Sequence, residues 1–300
     1  MSNCNIAQLD DRAVIRISGT DADSFLKGLI TNDVQDVVSN GEEQPSGNSL
    51  KTCFAGLLTP QGKILFDFFV VKKGDTYYLD VNAASADDLI KRLTFYKLRA
   101  DVAIESLKDS HTVWVIWKAQ GTQIDEGLCY PDPRLKTLGL RCISEIAPNL
   151  AGNCKPSSEA EYHAYRISLG VPEGVRDYAY GDTFPHDACY DLLGGVDFKK
   201  GCYVGQEVVS RMLHRGTART RVVIVDAQSN FPKAGAELLA DGKPVGKTGI
   251  PADNCAIALI RLDRAARAIE NAQDITAAGI QVTLTPPTWA DYEIPSVKTE

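Results

Sequence analysis

The chain has 300 residues, of which 44% are hydrophobic and 24% are charged, and its formal net charge is −7. This length predicts about two domains, with enough buried surface to fold without disulfides or a structural metal. Non-specific nucleic-acid binding needs a cationic surface, so an acidic chain is not expected to bind nucleic acid directly.

Eight cysteines are distributed along the chain without a C-x-x-C pair. Their spacing matches neither a zinc site nor a dense disulfide framework. The first residues lack the features of a signal peptide or a transit segment, and the strongest apolar run, 64–71, is too short to cross a bilayer. These features predict a soluble cytoplasmic protein in which most thiols are free. Structural roles are expected for Cys4, Cys53, Cys129, Cys142, Cys154, Cys189 and Cys255.

Hydrophobic periodicity in the N-terminal part alternates between that of strands and that of helices. Strands are predicted over 13–18, 54–58, 63–71, 76–81 and 113–117. Helices are predicted to begin near Asp21, with Thr20 as the N-cap, and after Ser85 as a second N-cap. A polar loop covers 39–49, and the turn 59–62 joins two of the strands. Sheets combined with amphipathic helices indicate an α+β fold, not a doubly wound α/β fold.

The following part of the chain begins with 127–139, which is predicted to be a rigid polar connector. A capping box formed by Ser158 and Glu161 predicts a helix that ends at Leu169. The stretch 181–205 has little periodicity, which is typical of functional loops. A small β-barrel is then predicted from short strands over 221–226, 236–240, 243–249 and 256–261.

The most informative segment is Asp197-Phe198-Lys199-Lys200-Gly201-Cys202-Tyr203-Val204-Gly205-Gln206-Glu207. Two lysines precede Cys202, and a helix that opens at Gly205 would place its positive end near the thiol. Both features favour the thiolate and would lower the pKa of Cys202. Gln206 and Glu207 supply an amide and a carboxylate, which suit a flat polar heterocycle. Cys202 is therefore the candidate catalytic residue.

Residue chemistry alone leaves other interpretations open. A lone cysteine is more often a small buried apolar residue than a nucleophile. His214 is close to Cys202 in sequence, but this does not make the two a catalytic pair. The basic run 211–221 is either a solvated surface or a docking site for a protein partner.

The segment 197–207 resembles the K-G-C-[YF]-x-G-Q-E signature of the YgfZ family, whose members bind folate and share the fold of the glycine-cleavage T-protein, an aminomethyltransferase. Segments along nearly the whole chain resemble that family too: 28–34, 57–64, 165–172 and 185–187. The resemblance implies a three-lobed cloverleaf around a central folate channel. It also implies a T-protein-like folate-binding region over 1–218, with a second α+β lobe inserted around 50–128, and a C-terminal β-barrel domain over 219–300.

The same resemblance implies a protein that binds tetrahydrofolate or another reduced folate. It would support assembly or repair of iron–sulfur proteins, including tRNA-modifying enzymes, as a monomer that meets client proteins or assembly machinery. Cys202 would be a redox-sensitive or transiently ligating thiolate rather than a permanent metal ligand, because no second thiol lies at ligand spacing. Folate-contacting residues are implied at Asn32, Arg166, Asp187, Lys200, Tyr203, Gln206 and Glu207.

One departure from the T-protein pattern leaves the activity open. T-proteins place a catalytic aspartate at a fixed distance after an Asn-Ala pair, here Asn82-Ala83. Without a gap, Leu89 occupies that register, and a one-residue gap would restore Asp88. The alternatives are an assembly factor, an aminomethyl transferase, which needs a carboxylate beside the folate, and an interaction module for tRNA-modifying enzymes.

Overall fold

The computed structural model describes residues 4–33, 50–118, 124, 127–149, 154–216, 219–228 and 231–294. The predicted loop over 39–49 lies outside them. The chain divides into two compact units. The first unit comprises Met1–Tyr162 and Leu193–Gln206, and the second comprises His163–Leu192 and Glu207–Glu300. The domain boundary at 218 stays a prediction.

The first unit contains two sheets and two helices. Its strands are β1 (Asn5–Leu9), β2 (Arg12–Ser18), β3 (Lys51–Leu58), β4 (Ile64–Lys73), β5 (Thr76–Asn82), β6 (Ala103–Ser106), β7 (Thr112–Trp117), β8 (Leu128–Pro131), β9 (Leu140–Ser144) and β10 (Lys155–Pro156). Its helices are α1 (Ala22–Lys27) and α2 (Ala86–Lys97), and short 3₁₀ turns cover Ala83–Ser85 and Lys136–Leu138.

The two sheets of this unit have five strands each within the described residues. The strand orders are β10-β1-β7-β9-β8 and β3-β4-β5-β2-β6. Every neighbouring pair is antiparallel except β1 and β10. Helices α1 and α2 cover the second sheet, where Leu26, Leu89 and Leu93 join a buried cluster with strand residues such as Ile15 and Phe68.

A buried carboxylate connects the two sheets. Asp80 on β5 accepts hydrogen bonds from Nε of Arg12 at 2.6 Å, Nε of Arg141 at 2.8 Å and the hydroxyl of Tyr130 at 3.2 Å. Arg12 lies on β2, whereas Tyr130 and Arg141 lie on β8 and β9 of the other sheet. The Arg141 guanidinium also lies 4.2 Å from the centroid of the Phe69 ring. Asp80 therefore fixes how the sheets pack.

Helix α3 (Glu159–Ser168) and helix α4 (Gln206–Arg215) each begin in the first unit and end in the second. The second unit also contains α5 (Leu262–Glu270) and a barrel. Its strands are β11 (Thr220–Ala227), β12 (Glu237–Ala240), β13 (Lys243–Thr248), β14 (Cys255–Arg261), β15 (Ile275–Ala277) and β16 (Ile280–Thr285). They close in the order β11-β14-β13-β12-β15-β16. The predicted C-terminal barrel is confirmed, and α5, β15 and β16 complete it.

Local sequence signals located the three helix starts, but only one of the predicted caps forms its side-chain hydrogen bond. The capping box is confirmed, because Ser158 N–H donates to Glu161 at 2.7 Å and Glu161 N–H donates to the Ser158 hydroxyl at 3.2 Å. The predicted cap at Thr20 is wrong, since its hydroxyl donates to Asp101, and the Ser85 hydroxyl donates back to Asn82. Ser85 does occupy the N-cap position of α2, but its hydroxyl binds a side chain three residues earlier, whereas Thr20 is bound by a partner distant in sequence.

The predicted connector 127–139 contains strand β8, so that interpretation is wrong. Pro131 ends β8, which is an edge strand, and an edge tolerates the lost N–H donor. Among the described residues, no helix has the length and apolarity that crossing a membrane would take.

Four cysteines are paired, contrary to the expectation that most thiols are free. Cys129 bonds to Cys142 and Cys4 bonds to Cys154. Cys129 and Cys142 face each other in the register of β8 and β9. Cys4 and Cys154 directly precede the parallel neighbours β1 and β10. Strand pairing creates both proximities, and sequence spacing does not reveal it.

The buried Asp80 yields a stability prediction. Asp80→Asn should lower the free energy of unfolding by about 3–5 kcal/mol, because two buried guanidinium groups lose their counter-charge. Urea unfolding followed by circular dichroism measures the change. Asp75→Asn, at the exposed tip of the β4–β5 hairpin, is the matched control and should change it by less than about 0.5 kcal/mol. Equal unfolding midpoints for the two variants would contradict this role of Asp80.

Candidate functional site

The candidate site is the segment 193–206, which runs over the first unit and leads into α4. Its first half is bonded to the segment that follows α1. Asp197 N–H donates to the Thr31 carbonyl at 3.0 Å, and the Thr31 hydroxyl donates to the Gly195 carbonyl at 2.6 Å. Asn32 Nδ2 donates to the Gly194 carbonyl at 2.8 Å. Hydrogen bonds between residues more than 160 positions apart in sequence thus hold the segment 194–197 against the segment 31–32.

Lys200 is the central anchor of this segment. Its Nζ donates to the Ile30 carbonyl at 2.6 Å and to the Asn32 carbonyl at 2.8 Å. The side chain is 7% exposed, and burial lowers the pKa of Lys200 to about 8, against the opposing influence of Asp33. The ring of Tyr203 lies 5.3 Å from the ammonium nitrogen. The Lys200 ammonium therefore binds backbone carbonyls. The sequence had instead predicted that this lysine favours the thiolate of Cys202.

Gly205 fixes the other end of the segment. Its φ is +83°, and a Cβ at this position would lie 2.6 Å from the Thr59 carbonyl oxygen. Only glycine accepts both conditions without displacing its neighbours. The turn it contacts is itself closed by a bond from Gly62 N–H to the Thr59 carbonyl at 2.8 Å. The hairpin at 59–62 and the segment 30–32 thus hold the loop from two sides.

Cys202 lies between these two anchors and is exposed. The other described cysteines outside disulfides are Cys53, Cys189 and Cys255, of which the first two are buried and the third is half-buried. Burial raises the pKa of the Cys53 thiol to about 12 and that of the Cys255 thiol to about 11, so both stay protonated at neutral pH. Cys202 is the cysteine placed to meet another molecule.

The predicted site residues of the first unit gather around this loop. Tyr203 is buried, and burial raises the pKa of its hydroxyl to about 12. Gln206 is half-buried at the first position of α4. Asn32 is half-buried, and its amide bonds the Phe54 and Gly194 carbonyls. A helix does begin directly after Gly205, as predicted.

The remaining predicted site residues belong to the second unit. Glu207 is exposed and forms an ion pair with Arg211 one turn along α4. Asp187 is half-buried and accepts a hydrogen bond from Phe184 N–H at 3.4 Å. Their approach to a shared ligand stays a prediction.

Arg166 is fully buried in α3 and forms a local ion-pair network. Its Nη1 donates to Asp177 and to the Val171 carbonyl, and its Nε lies 3.3 Å from a Glu173 carboxylate oxygen. Asp177 also accepts the Glu173 N–H at 2.8 Å. This network fastens the loop after α3, a structural role that the sequence analysis did not predict.

The two candidate positions for the T-protein aspartate differ in burial. Leu89 is buried in the core of the second sheet, whereas Asp87 and Asp88 are exposed on the outer face of α2. Asp88 forms an exposed ion pair with Lys91 at 2.9 Å. In the ungapped register a buried leucine therefore stands at the position of the T-protein aspartate, and in the gapped register the exposed Asp88 stands there.

Comparison with known proteins supports the fold. Residues 219–292 match the family model described as CAF17, C-terminal beta-barrel domain. The solved structure of glycine cleavage system aminomethyltransferase T from Bartonella henselae superposes on 97% of this chain and 87% of its own, with a TM-score of 0.71 and 13% sequence identity. The chain therefore has an aminomethyltransferase-like fold of mixed α and β content with a closed six-stranded barrel, as predicted.

Curated relatives decide the family. The Coccidioides immitis protein named iron-sulfur cluster assembly factor IBA57 homolog, mitochondrial, is 30% identical over 308 residues, which cover 85% of this chain and 71% of that protein. The chain belongs to the IBA57 family. Its human member is 28% identical, over 91% of this chain and 83% of that protein. The chain spans only 57% of the Mycosarcoma maydis member, to which it is 31% identical over 74% of its own length. IBA57 is related to the YgfZ family but distinct from it, which corrects the finer assignment made from sequence.

The sequence named Asn32 and Lys200 as folate contacts and did not reveal that they, with Ile30 and Thr31, hold the loop 193–206 in place. The carbonyls of Ile30 and Asn32 and the hydroxyl of Thr31 are contacts of ordinary residue types. The resemblance of 28–34 to a known family was the one available signal, and it indicated importance without indicating contact with Lys200.

The anchoring role of Lys200 can be tested against its neighbour. Lys200→Met should lower the free energy of unfolding by about 2–3 kcal/mol, because two carbonyls lose a charged donor. It should also speed amide hydrogen exchange over 194–203. Lys199→Met is the matched control, since Lys199 is exposed, and should change stability by less than about 0.5 kcal/mol. If both variants exchange at the wild-type rate, Lys200 does not anchor the loop.

Proposed function

We propose that this chain is an assembly factor for iron–sulfur proteins and that the thiol of Cys202 is the group through which it acts. Two findings support the proposal: the names of its IBA57 relatives, and the position of Cys202 as an exposed cysteine on an anchored loop. The second finding carries the proposal, because a thiol that binds iron for transfer has to reach another protein.

A single exposed thiolate suits a transient ligand. Iron–sulfur clusters are commonly held by about four cysteine thiolates. Within the described residues, Cys202 is the exposed cysteine outside a disulfide. The other ligands of a transferred cluster would therefore come from a carrier or a client protein. Cys202 would hold the cluster during exchange and then release it.

A reduced folate such as tetrahydrofolate is the ligand that we propose for the same loop. The support is the aminomethyltransferase-like fold together with the chemistry of Tyr203 and Gln206. A pterin ring is flat and polar, so it suits an aromatic ring and an amide that lie three residues apart in the chain. Asn32 and Lys200 already bond backbone carbonyls, and we assign them to positioning the loop.

The aminomethyl-transferase alternative has less support. That reaction needs a carboxylate beside the folate, and Asp87 and Asp88 lie on the outer face of α2. The docking of tRNA-modifying enzymes on 211–221 stays a prediction, as does the monomeric state. The cytoplasmic location also stays a prediction, and the curated relatives are named as mitochondrial proteins.

Complementation of a deletion strain tests the proposed function. Cells that lack the gene should lose the activity of a [4Fe–4S] dehydratase such as aconitase under oxidative stress. The wild-type gene should restore the activity, and Cys202→Ser should not, because serine cannot replace a thiolate toward iron. Enzyme activity in extracts, normalised to dehydratase protein, is the measurement.

Cys255→Ser is the matched control and should restore activity as the wild type does. If the deletion leaves the dehydratase active, the assembly role is wrong. If Cys202→Ser restores full activity, the role does not depend on that thiol.

A further inference from the structure

The C-terminal end of α2 has an unusual surface. Phe95 is 71% exposed and Leu98 is 87% exposed, the two highest values among large hydrophobic side chains in the described part of the chain. They are three residues apart in sequence: Phe95 lies in the last turn of α2 and Leu98 is its C-cap residue, whereas Leu89 and Leu93 of the same helix are buried. Single exposed apolar residues are common on proteins, whereas neighbouring ones of this size mark interaction sites.

The backbone at Leu98 adds a second observation. Leu98 is the C-cap of α2, with φ 47° and ψ −105°. This combination is the conformation of the first central residue of a type II′ turn, which strongly favours glycine. A leucine there costs conformational energy and, in addition, exposes its side chain to water. Leu98 therefore brings the fold no compensating burial, and a partner that covers its side chain would supply it.

Charge around this pair contrasts with the rest of the molecule. Residues 91–99 contain Lys91, Arg92, Lys97 and Arg99 and no acidic residue, in a chain whose net charge is −7. Arg92 and Arg99 are exposed. We name the set Arg92, Phe95, Lys97, Leu98 and Arg99 the α2 patch.

We propose that the α2 patch docks a protein partner whose surface places carboxylates around an apolar socket. Leu98 and Phe95 fill the socket, and Arg92 and Arg99 pair with the carboxylates, in the common arrangement of an apolar anchor with a charged rim. The partner is taken to act in iron–sulfur assembly, so the proposal rests on the proposed function.

Two other kinds of partner fit the patch less well. Single-stranded nucleic acid binds through successive stacking on aromatic rings in a cationic groove, and the patch combines one strongly exposed ring, that of Phe95, with the aliphatic side chain of Leu98. An acidic chain also repels the phosphate backbone. Membrane binding of a helix requires its whole apolar face, and the apolar face of α2 packs on the sheet.

Leu98→Gly separates docking from folding. Glycine removes the apolar anchor but suits the backbone, so the urea midpoint should stay equal to the wild-type value or rise. In the deletion strain, the Leu98→Gly protein should need about tenfold higher expression than the wild type to restore half of the dehydratase activity. An effect of this size is expected when an interface loses its apolar anchor. The double variant Arg92→Glu/Arg99→Glu should act in the same direction.

Matched controls are Ile146→Ser, which removes another exposed hydrophobic residue, and Arg264→Glu/Arg267→Glu, which reverses two exposed charges on α5. Both should complement as the wild type does. If wild type restores the dehydratase and the α2-patch variants do so equally, docking at the patch is overturned while the proposed function holds. If wild type itself fails, the proposed function is wrong, and docking in iron–sulfur assembly is overturned with it.

A photo-crosslinking amino acid at position 98 identifies the kind of partner, with position 146 as the control. A protein adduct that joins position 98 to a peptide rich in aspartate and glutamate, and that disappears in Arg92→Glu/Arg99→Glu, is the expected result. An adduct that ribonuclease removes, a lipid adduct, or no adduct above the level at position 146 would overturn the proposal.

Discussion

The candidate site depends on the contact between the Lys200 ammonium and the carbonyl oxygens of Ile30 and Asn32. These carbonyls belong to the segment after α1, about 170 residues earlier in the chain. A buried ammonium is costly unless its donors are satisfied, and here two backbone oxygens accept them at 2.6 and 2.8 Å. The same contact that stabilises the ammonium fixes the backbone just before Cys202. The thiol can therefore be exposed and still have a defined position.

Other contacts fix the chain on the far side of Cys202. Gly205 lies directly against the turn at 59–62, so the chain is positioned both before and after the thiol. That turn joins β3 to β4, and β5 beside them carries Asp80, whose carboxylate connects the two sheets. The position of the exposed Cys202 thiol thus follows from contacts in three places: within the loop, against the hairpin, and between the two sheets.

The sequence predicted those features whose causes are local. The capping box at Ser158 and Glu161, the hairpin around 59–62 and the early barrel strands depend on neighbouring residues, and the structure confirms them. Features whose causes are distant were not predicted. Asp101 binds Thr20, which had been expected to cap α1, and strand register pairs Cys129 with Cys142. Lys200 was expected to tune the thiol, because its carbonyl partners cannot be inferred from the motif. The motif predicts the candidate site, and only the fold reveals how that segment is held.

The rate at which iodoacetamide alkylates Cys202, measured by mass spectrometry with and without tetrahydrofolate, tests whether thiol and folate share this loop. We expect Cys202 to be alkylated in the native protein and saturating tetrahydrofolate to slow this reaction several-fold. The half-buried thiol of Cys255 serves as the internal reference and should react at an unchanged rate. An alkylation rate of Cys202 that tetrahydrofolate does not alter would contradict the claim that thiol and folate share this loop.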